Sequence, residues 1–274
     1  MHTTVRQDGS ASLPDGLGQA IRDTAEEIAT LVRSASDTAL AVPGSQWTVG
    51  EAAAHLALAN ELMADLAAGR ERPYGDGTPQ SLARANAQSL DVFSERRAEP
   101  LATMIEEQAE AFLDAVSRPA AVSTAPATPL GVMDRSVLAS YLLTHMLGHG
   151  YDLARALKRP HMVDRARAGL CMPFMLSVMP RVADPAATAG LTARYRIRLR
   201  GGEAFGVRLA DGAVQVTPAA AQRADCTILL DPVAFLLIAL GRLNPWRAIA
   251  QGQVLAWGPR PWLAPRFPTL FTAP

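Results

Sequence analysis

Residues Trp47–Leu62 read WTVGEAAAHLALANEL, and the opening of that stretch dictates a helix start. Thr48 followed by Glu51 is a capping box: the hydroxyl accepts from the free backbone N–H of Glu51, while the carboxylate reaches back to the N–H of Thr48. Ala52, Leu56, Ala59 and Met63 then recur at helical steps, which predicts an apolar stripe on a helix ending near Ala68. His55 sits on the edge of that stripe, in mid-helix.

The same period extends to both sides. Ile21, Ala25, Ile28, Leu31 and Val32 predict a first helix from Asp15 to Leu40. Beyond a Gly/Pro/Tyr loop at Gly69–Pro79, a third arm is expected in two pieces, Gln80–Arg97 and Leu101–Ser117, interrupted at Pro100. After a Pro/Ala/Thr/Ser loop at Pro119–Pro129, Asp134 can cap a fourth helix carrying Val137, Leu138, Tyr141, Leu142 and Leu153. Four such arms predict an all-α four-helix bundle over residues 13–160.

Past Pro160 one more apolar segment, Ala166–Met179, precedes a change of period. Tyr195, Ile197 and Leu199 alternate with Arg194, Arg196, Arg198 and Arg200, as in a strand with one buried face. Phe205, Val207 and Leu209 repeat the alternation, Asp211-Gly212 supplies a tight turn, and Val214 and Val216 answer. A further strand at Thr227–Leu230, a helix from Asp231-Pro232 to about Gly241 and another at Asn244-Pro245 complete an α+β domain over residues 161–274.

The composition narrows the function. In 274 residues, 26 basic and 26 acidic side chains cancel, which argues against a nucleic-acid or membrane partner held by bulk charge. No stretch resembles a signal peptide or approaches a membrane span, and Cys171 and Cys226 lie in apolar contexts, so a cytoplasmic protein with reduced core thiols is expected. One lysine among the 26 basic residues, on an alanine-rich background, suggests a bacterial source with a high-GC coding bias.

His145 and His149 lie one helical turn apart on the fourth helix and project from one face. In a bundle, His55 on a facing helix can point into the same volume. Three imidazoles with room for a fourth, exchangeable ligand match a catalytic zinc site, although a His-x-x-x-His pair also arises by chance in many helices. Asp152 can hold a ligand's second nitrogen or simply pair with Arg155. His2 and His161 are read as bystanders.

The stretch Trp47–Leu62, together with HMLGHGYDLARALKRP (His145–Pro160), resembles the N-terminal metal-binding domain of the mycothiol-dependent maleylpyruvate isomerase family, within the DinB-like four-helix bundles. ADCTILLDPVAFLLIALGRLNP (Ala224–Pro245) and the following Gly252 are similar to its sterol-carrier-like partner domain. The resemblance implies that His55, His145 and His149 ligate Zn2+ or another divalent metal, with mycothiol as thiol cosubstrate. It also implies that the second domain contributes an arginine, Arg260 or Arg266, that binds a substrate carboxylate. One position departs from the isomerase pattern, which has a glutamate where this chain has His145, and a three-histidine set looks like the thiol-transferase branch of DinB-like proteins.

The substitution has a consequence. Three neutral imidazoles leave zinc its full +2 charge, where a glutamate reduces it to +1, so a bound thiol or water is acidified more strongly. The expected function is therefore a zinc-dependent enzyme that uses a low-molecular-weight thiol for S-transfer to, or isomerisation of, a small electrophile. Two alternatives stay open: a hydrolase in which the metal activates water, and a ligand-binding or regulatory protein with a structural metal.

Overall fold

The amphipathic period of the first segment produces α1 (Leu17–Arg33), with Leu17, Ile21, Ala25, Ile28 and Val32 buried along one face. It ends seven residues before the expected Leu40, at Ser34, whose hydroxyl donates to the Leu31 carbonyl at 2.7 Å. The structure is a computed structural model that describes residues 13–70, 72, 74–76, 79–118, 127–128, 130–218 and 223–272. The tail Met1–Ser12 and most of the expected loop at Pro119–Pro129 lie outside the described residues.

Helix α2 (Val49–Ala67) begins on the capping box: the Thr48 Oγ1 accepts from the Glu51 N–H at 3.2 Å, and the Glu51 carboxylate accepts from the Thr48 N–H at 2.8 Å. Those bonds hold the Glu51 carboxyl below its ordinary pKa, the Thr48 N–H contributing most. The third arm is two helices, α3 (Pro79–Val92) and α4 (Ala98–Ser117). Pro100 does not interrupt α4. It lies in the first turn, where the ring removes an N–H that has no intrahelical acceptor. The break falls instead between Val92 and Ala98, where the Arg96 guanidinium donates to the carbonyls of Leu90 and Phe93 and so closes the end of α3.

Strands β1 (Ala127–Thr128) and β2 (Gly131–Val132) form a minimal hairpin ahead of α5 (Arg135–Ala156), whose cap is the Asp134 carboxylate accepting from the Val137 N–H at 2.8 Å. Helices α1 and α2 each pack against both α4 and α5, so these four form a ring in which α2 and α5 are neighbours. This bundle belongs to the first of two compact units, Met1–His161, and the second is Met162–Pro274.

In the second unit the single segment expected at Ala166–Met179 is two short helices, α6 (Arg165–Leu170) and α7 (Met172–Val178), followed by a turn of helix, α8 (Pro185–Thr188). A five-stranded sheet follows, from β3 (Ala193–Leu199), β4 (Ala204–Ala210), β5 (Ala213–Pro218), β6 (Cys226–Leu230) and β7 (Val254–Trp257), in the order β5-β4-β3-β6-β7. Asp211 (φ 53°) and Gly212 (φ 78°) join β4 to β5 with both central residues left-handed, the conformation a two-residue hairpin requires. Strand β6 runs parallel to β3, and helices α9 (Pro232–Ala239) and α10 (Pro245–Ala250) carry the chain across to antiparallel β7. Both cysteines are free and buried, and burial pushes the Cys226 thiol up to about 11.

The inward face of β3 carries Tyr195 and Ile197 into a core with Phe205 and Phe235. The outward face carries Arg194, Arg196 and Arg198, with Arg208 of β4 directly across from Arg194. Charge follows the division into units. Residues 1–161 contain 20 acidic and 13 basic side chains, a formal −7, whereas residues 162–274 contain 6 acidic and 13 basic, a formal +7.

Two stability measurements follow. Thr48→Ala is expected to cost about 1 kcal/mol in denaturant unfolding, with Thr48→Ser close to wild type, because only the hydroxyl cap is lost. Arg208→Glu is expected to gain roughly 0.2–1 kcal/mol, because it converts a like-charge cross-strand pair with Arg194 into an attractive one.

Candidate metal centre

The phase set at Thr48 places His55 on the buried side of α2, only 5% exposed. On α5, His145 and His149 share one helix face and are partly exposed. Because α2 and α5 are neighbours in the ring, the three imidazoles meet. One ligand atom from each lies within 4.8 Å of the others. The rings stand edge-on or tilted, with centroids 4.6 to 5.0 Å apart, so their edges rather than their faces converge.

The Nε2 atoms of His55 and His145 are 3.0 Å apart. Two imidazole lone pairs cannot face each other at that distance, so either one ring donates a proton to the other or a cation lies between them. Tetrahedral zinc with bonds of 2.0–2.1 Å separates its nitrogens by about 3.3 Å, so the spacing suits such an ion. Burial lowers the His55 pKa to about 4, which keeps that ring neutral at pH 7 and its lone pair available. The donor set therefore fits a divalent metal that accepts nitrogen ligands.

Around the imidazoles the side chains are aromatic. Trp47, one residue before the Thr48 cap, lies with its ring centroid 4.7 Å from His55 and 5.8 Å from His149. Tyr141, one turn before His145, meets that ring edge-on at 6.3 Å, and it is buried, which raises its phenol pKa. Tyr74 lies near enough to perturb Tyr141 electrostatically, and its hydroxyl donates to Asn86 Oδ1 at 2.7 Å. Asp152 stands 3.8 Å from His149 Nδ1, within ion-pair range but beyond hydrogen-bond length.

Arg260 donates to the Thr192 carbonyl at 3.2 Å, and exposed Arg266 to the Ala187 carbonyl at 3.4 Å, both within the second unit. The His161 ring packs against Tyr151 at 5.0 Å, and His2 lies outside the described residues. Sequence reasoning missed Trp47 and Tyr141 as neighbours of the cluster. The signals were present: Tyr141, His145 and His149 are spaced i, i+4, i+8, and Trp47 immediately precedes the cap of the helix that carries His55.

Residues 21–154 match the family model of the mycothiol maleylpyruvate isomerase N-terminal domain, and residues 178–259 match that of the SCP-2 sterol transfer family. Among solved structures, the chain is similar to the crystal structure of the mycothiol-dependent maleylpyruvate isomerase at 15% identity and a TM-score of 0.53, over 89% of this chain and 93% of that one. A histidine-to-alanine mutant of that isomerase is similar at 14% identity and a TM-score of 0.54, with the same coverage of both chains. Likeness at these identities establishes a shared fold. No curated protein matches the sequence. Over residues 21–154 the chain belongs to the mycothiol maleylpyruvate isomerase N-terminal domain family, and over residues 178–259 to the SCP-2 sterol transfer family.

Proposed function

We propose that this chain is a metal-dependent enzyme that uses a low-molecular-weight thiol, mycothiol by the family of its first domain, for isomerisation of a small electrophile or sulfur transfer to it. The supporting observation is the convergence of His55, His145 and His149 to within 4.8 Å, from two helices, inside a domain of that family. We assign these three side chains as ligands of Zn2+ or a similar divalent ion. When bound, the ion supplies Lewis acidity that keeps a coordinated thiol as thiolate near neutral pH.

The chain's own residues perform the rest. Burial of His55 removes proton competition for its nitrogen above pH about 4. Asp152, 3.8 Å from His149 Nδ1, attracts a proton to that nitrogen electrostatically, which leaves the Nε2 lone pair to a metal. Trp47 and Tyr141 pack against the imidazoles and limit the rotamers they can adopt. With His145 in place of a carboxylate, the ligand set stays neutral and leaves the ion its full charge for a thiolate. Arg260 and Arg266 each use one donor on a backbone carbonyl and retain others, so both stand as candidates for holding a substrate carboxylate.

Two measurements test this reading. Purified protein is expected to hold about one equivalent of zinc per chain, and His149→Ala to lose most of it, because two ligands bind far more weakly than three. Stoichiometric zinc in that variant removes the three-histidine assignment. In cobalt-substituted protein, mycothiol is expected to produce an intense sulfur-to-metal charge-transfer band, with a simple alkyl thiol binding more weakly. Absence of the band with any thiol, alongside normal cobalt content, refutes the thiol-dependent reading.

A further inference from the structure

One aromatic ring touches two of the three imidazoles. The Trp47 indole lies 4.7 Å from His55 at an interplanar angle of 42°, and 5.8 Å from His149 at 34°. His55 belongs to α2 and His149 to α5, so the indole braces the two helices whose relative placement makes the nitrogens converge.

Trp47 is itself fixed from the backbone side. The Val42 N–H donates to the Trp47 carbonyl at 2.9 Å, the Trp47 N–H donates to Ser45 Oγ at 3.1 Å, and Ala41 pairs with Thr48 in an antiparallel bridge. Thr48 is the N-cap of α2, and the Val49 N–H donates to the Leu40 carbonyl at 2.8 Å. The bonds that start the helix therefore also set the height of the indole along it, so its position does not depend on the histidines it meets.

We propose that Trp47 is a positioning residue for the three-histidine site, holding the His55 and His149 imidazoles in converged rotamers before an ion arrives. The proposal rests on the reading that these histidines hold a metal. A histidine free to rotate loses that freedom when it ligates, and the loss weakens binding. A ring already wedged against a rigid neighbour has lost it on folding. Tyr141 meets the His145 ring edge-on at 6.3 Å, whereas the indole lies against one imidazole on each of the two helices.

The experiment uses the full chain stripped by a chelator and titrated with zinc alone. Trp47→Leu keeps apolar bulk but not the flat ring, and is expected to lower zinc affinity about 10- to 100-fold, the effect typical of residues that orient metal ligands. Trp47→Phe is expected to stay near wild type. The melting temperature of each metal-free variant reports whether folding is intact. The other three tryptophans, Trp246, Trp257 and Trp262, belong to the second unit, so Trp47 is the only tryptophan of the first. Zinc is therefore expected to change tryptophan emission in the wild type and not in Trp47→Phe.

A ring that merely packs gives a different pattern: Trp47→Leu lowers the melting temperature but binds zinc as the wild type does, and that result overturns the proposal alone. A wild type that binds no zinc overturns the metal reading and this proposal together. Should Trp47→Leu fail to fold, unchanged wild-type emission at zinc saturation sinks the proposal by itself.

Discussion

Polar ring nitrogens inside a helical bundle must find partners, since an unpartnered buried polar group costs on the order of 1–3 kcal/mol. His55 is buried, and its Nε2 lies 3.0 Å from that of His145. Such an approach requires α2 and α5 to run close together at that level. Both helices are rich in small buried residues, Ala52, Ala53, Ala54 and Ala57 on α2 and Gly148, Gly150 and Ala154 on α5, which let neighbouring helices approach closely. The helix pair and its cluster therefore constrain each other, and the rest of the ring encloses them.

How much of this was legible in the sequence depended on how local the cause was. The Thr48–Glu51 cap, the Asp134 cap and the Asp211-Gly212 turn are written in three or four adjacent residues, and each appears in the structure as read. The two fourth-helix histidines were legible for the same reason, through a spacing of one turn. His55 needed knowledge of which helices face each other: the bundle reading allowed it to point into the same volume, and the family resemblance added it as the third ligand. Trp47 was harder still, because its contact with His149 spans about a hundred residues and depends on a turn between Ala41 and Thr48 that leaves no periodic signal. The end of α1 and the break before α4 were misjudged because single polar side chains close those ends, Ser34 on the Leu31 carbonyl and Arg96 on those of Leu90 and Phe93, and such bonds leave no periodic signal.

The second unit shows the same limit from the strand side. Alternation marked which face of β3 is buried, but the strand order was not legible. Parallel pairing of β3 with β6 is set by the crossover between them, and β7 is a short edge strand whose Leu255, Ala256 and Trp257 are exposed, so it lacks a buried period. Gly258, with φ 126°, ends that strand where a Cβ would lie 2.8 Å from the Asp225 carbonyl, so close backbone approach rather than hydrophobicity sets its limit.

The isoelectric point near 7.0 describes neither half of the chain. Opposite formal charges of −7 and +7 on the two units cancel on paper, yet each unit keeps its own field over roughly a Debye length, about 8 Å at physiological ionic strength. The first unit's field attracts cations, and the second unit's arginines attract anions. The price of this partition is colloidal: with no net charge to keep copies apart, solubility near neutral pH rests on added salt weakening the attraction between the acidic half of one molecule and the basic half of another.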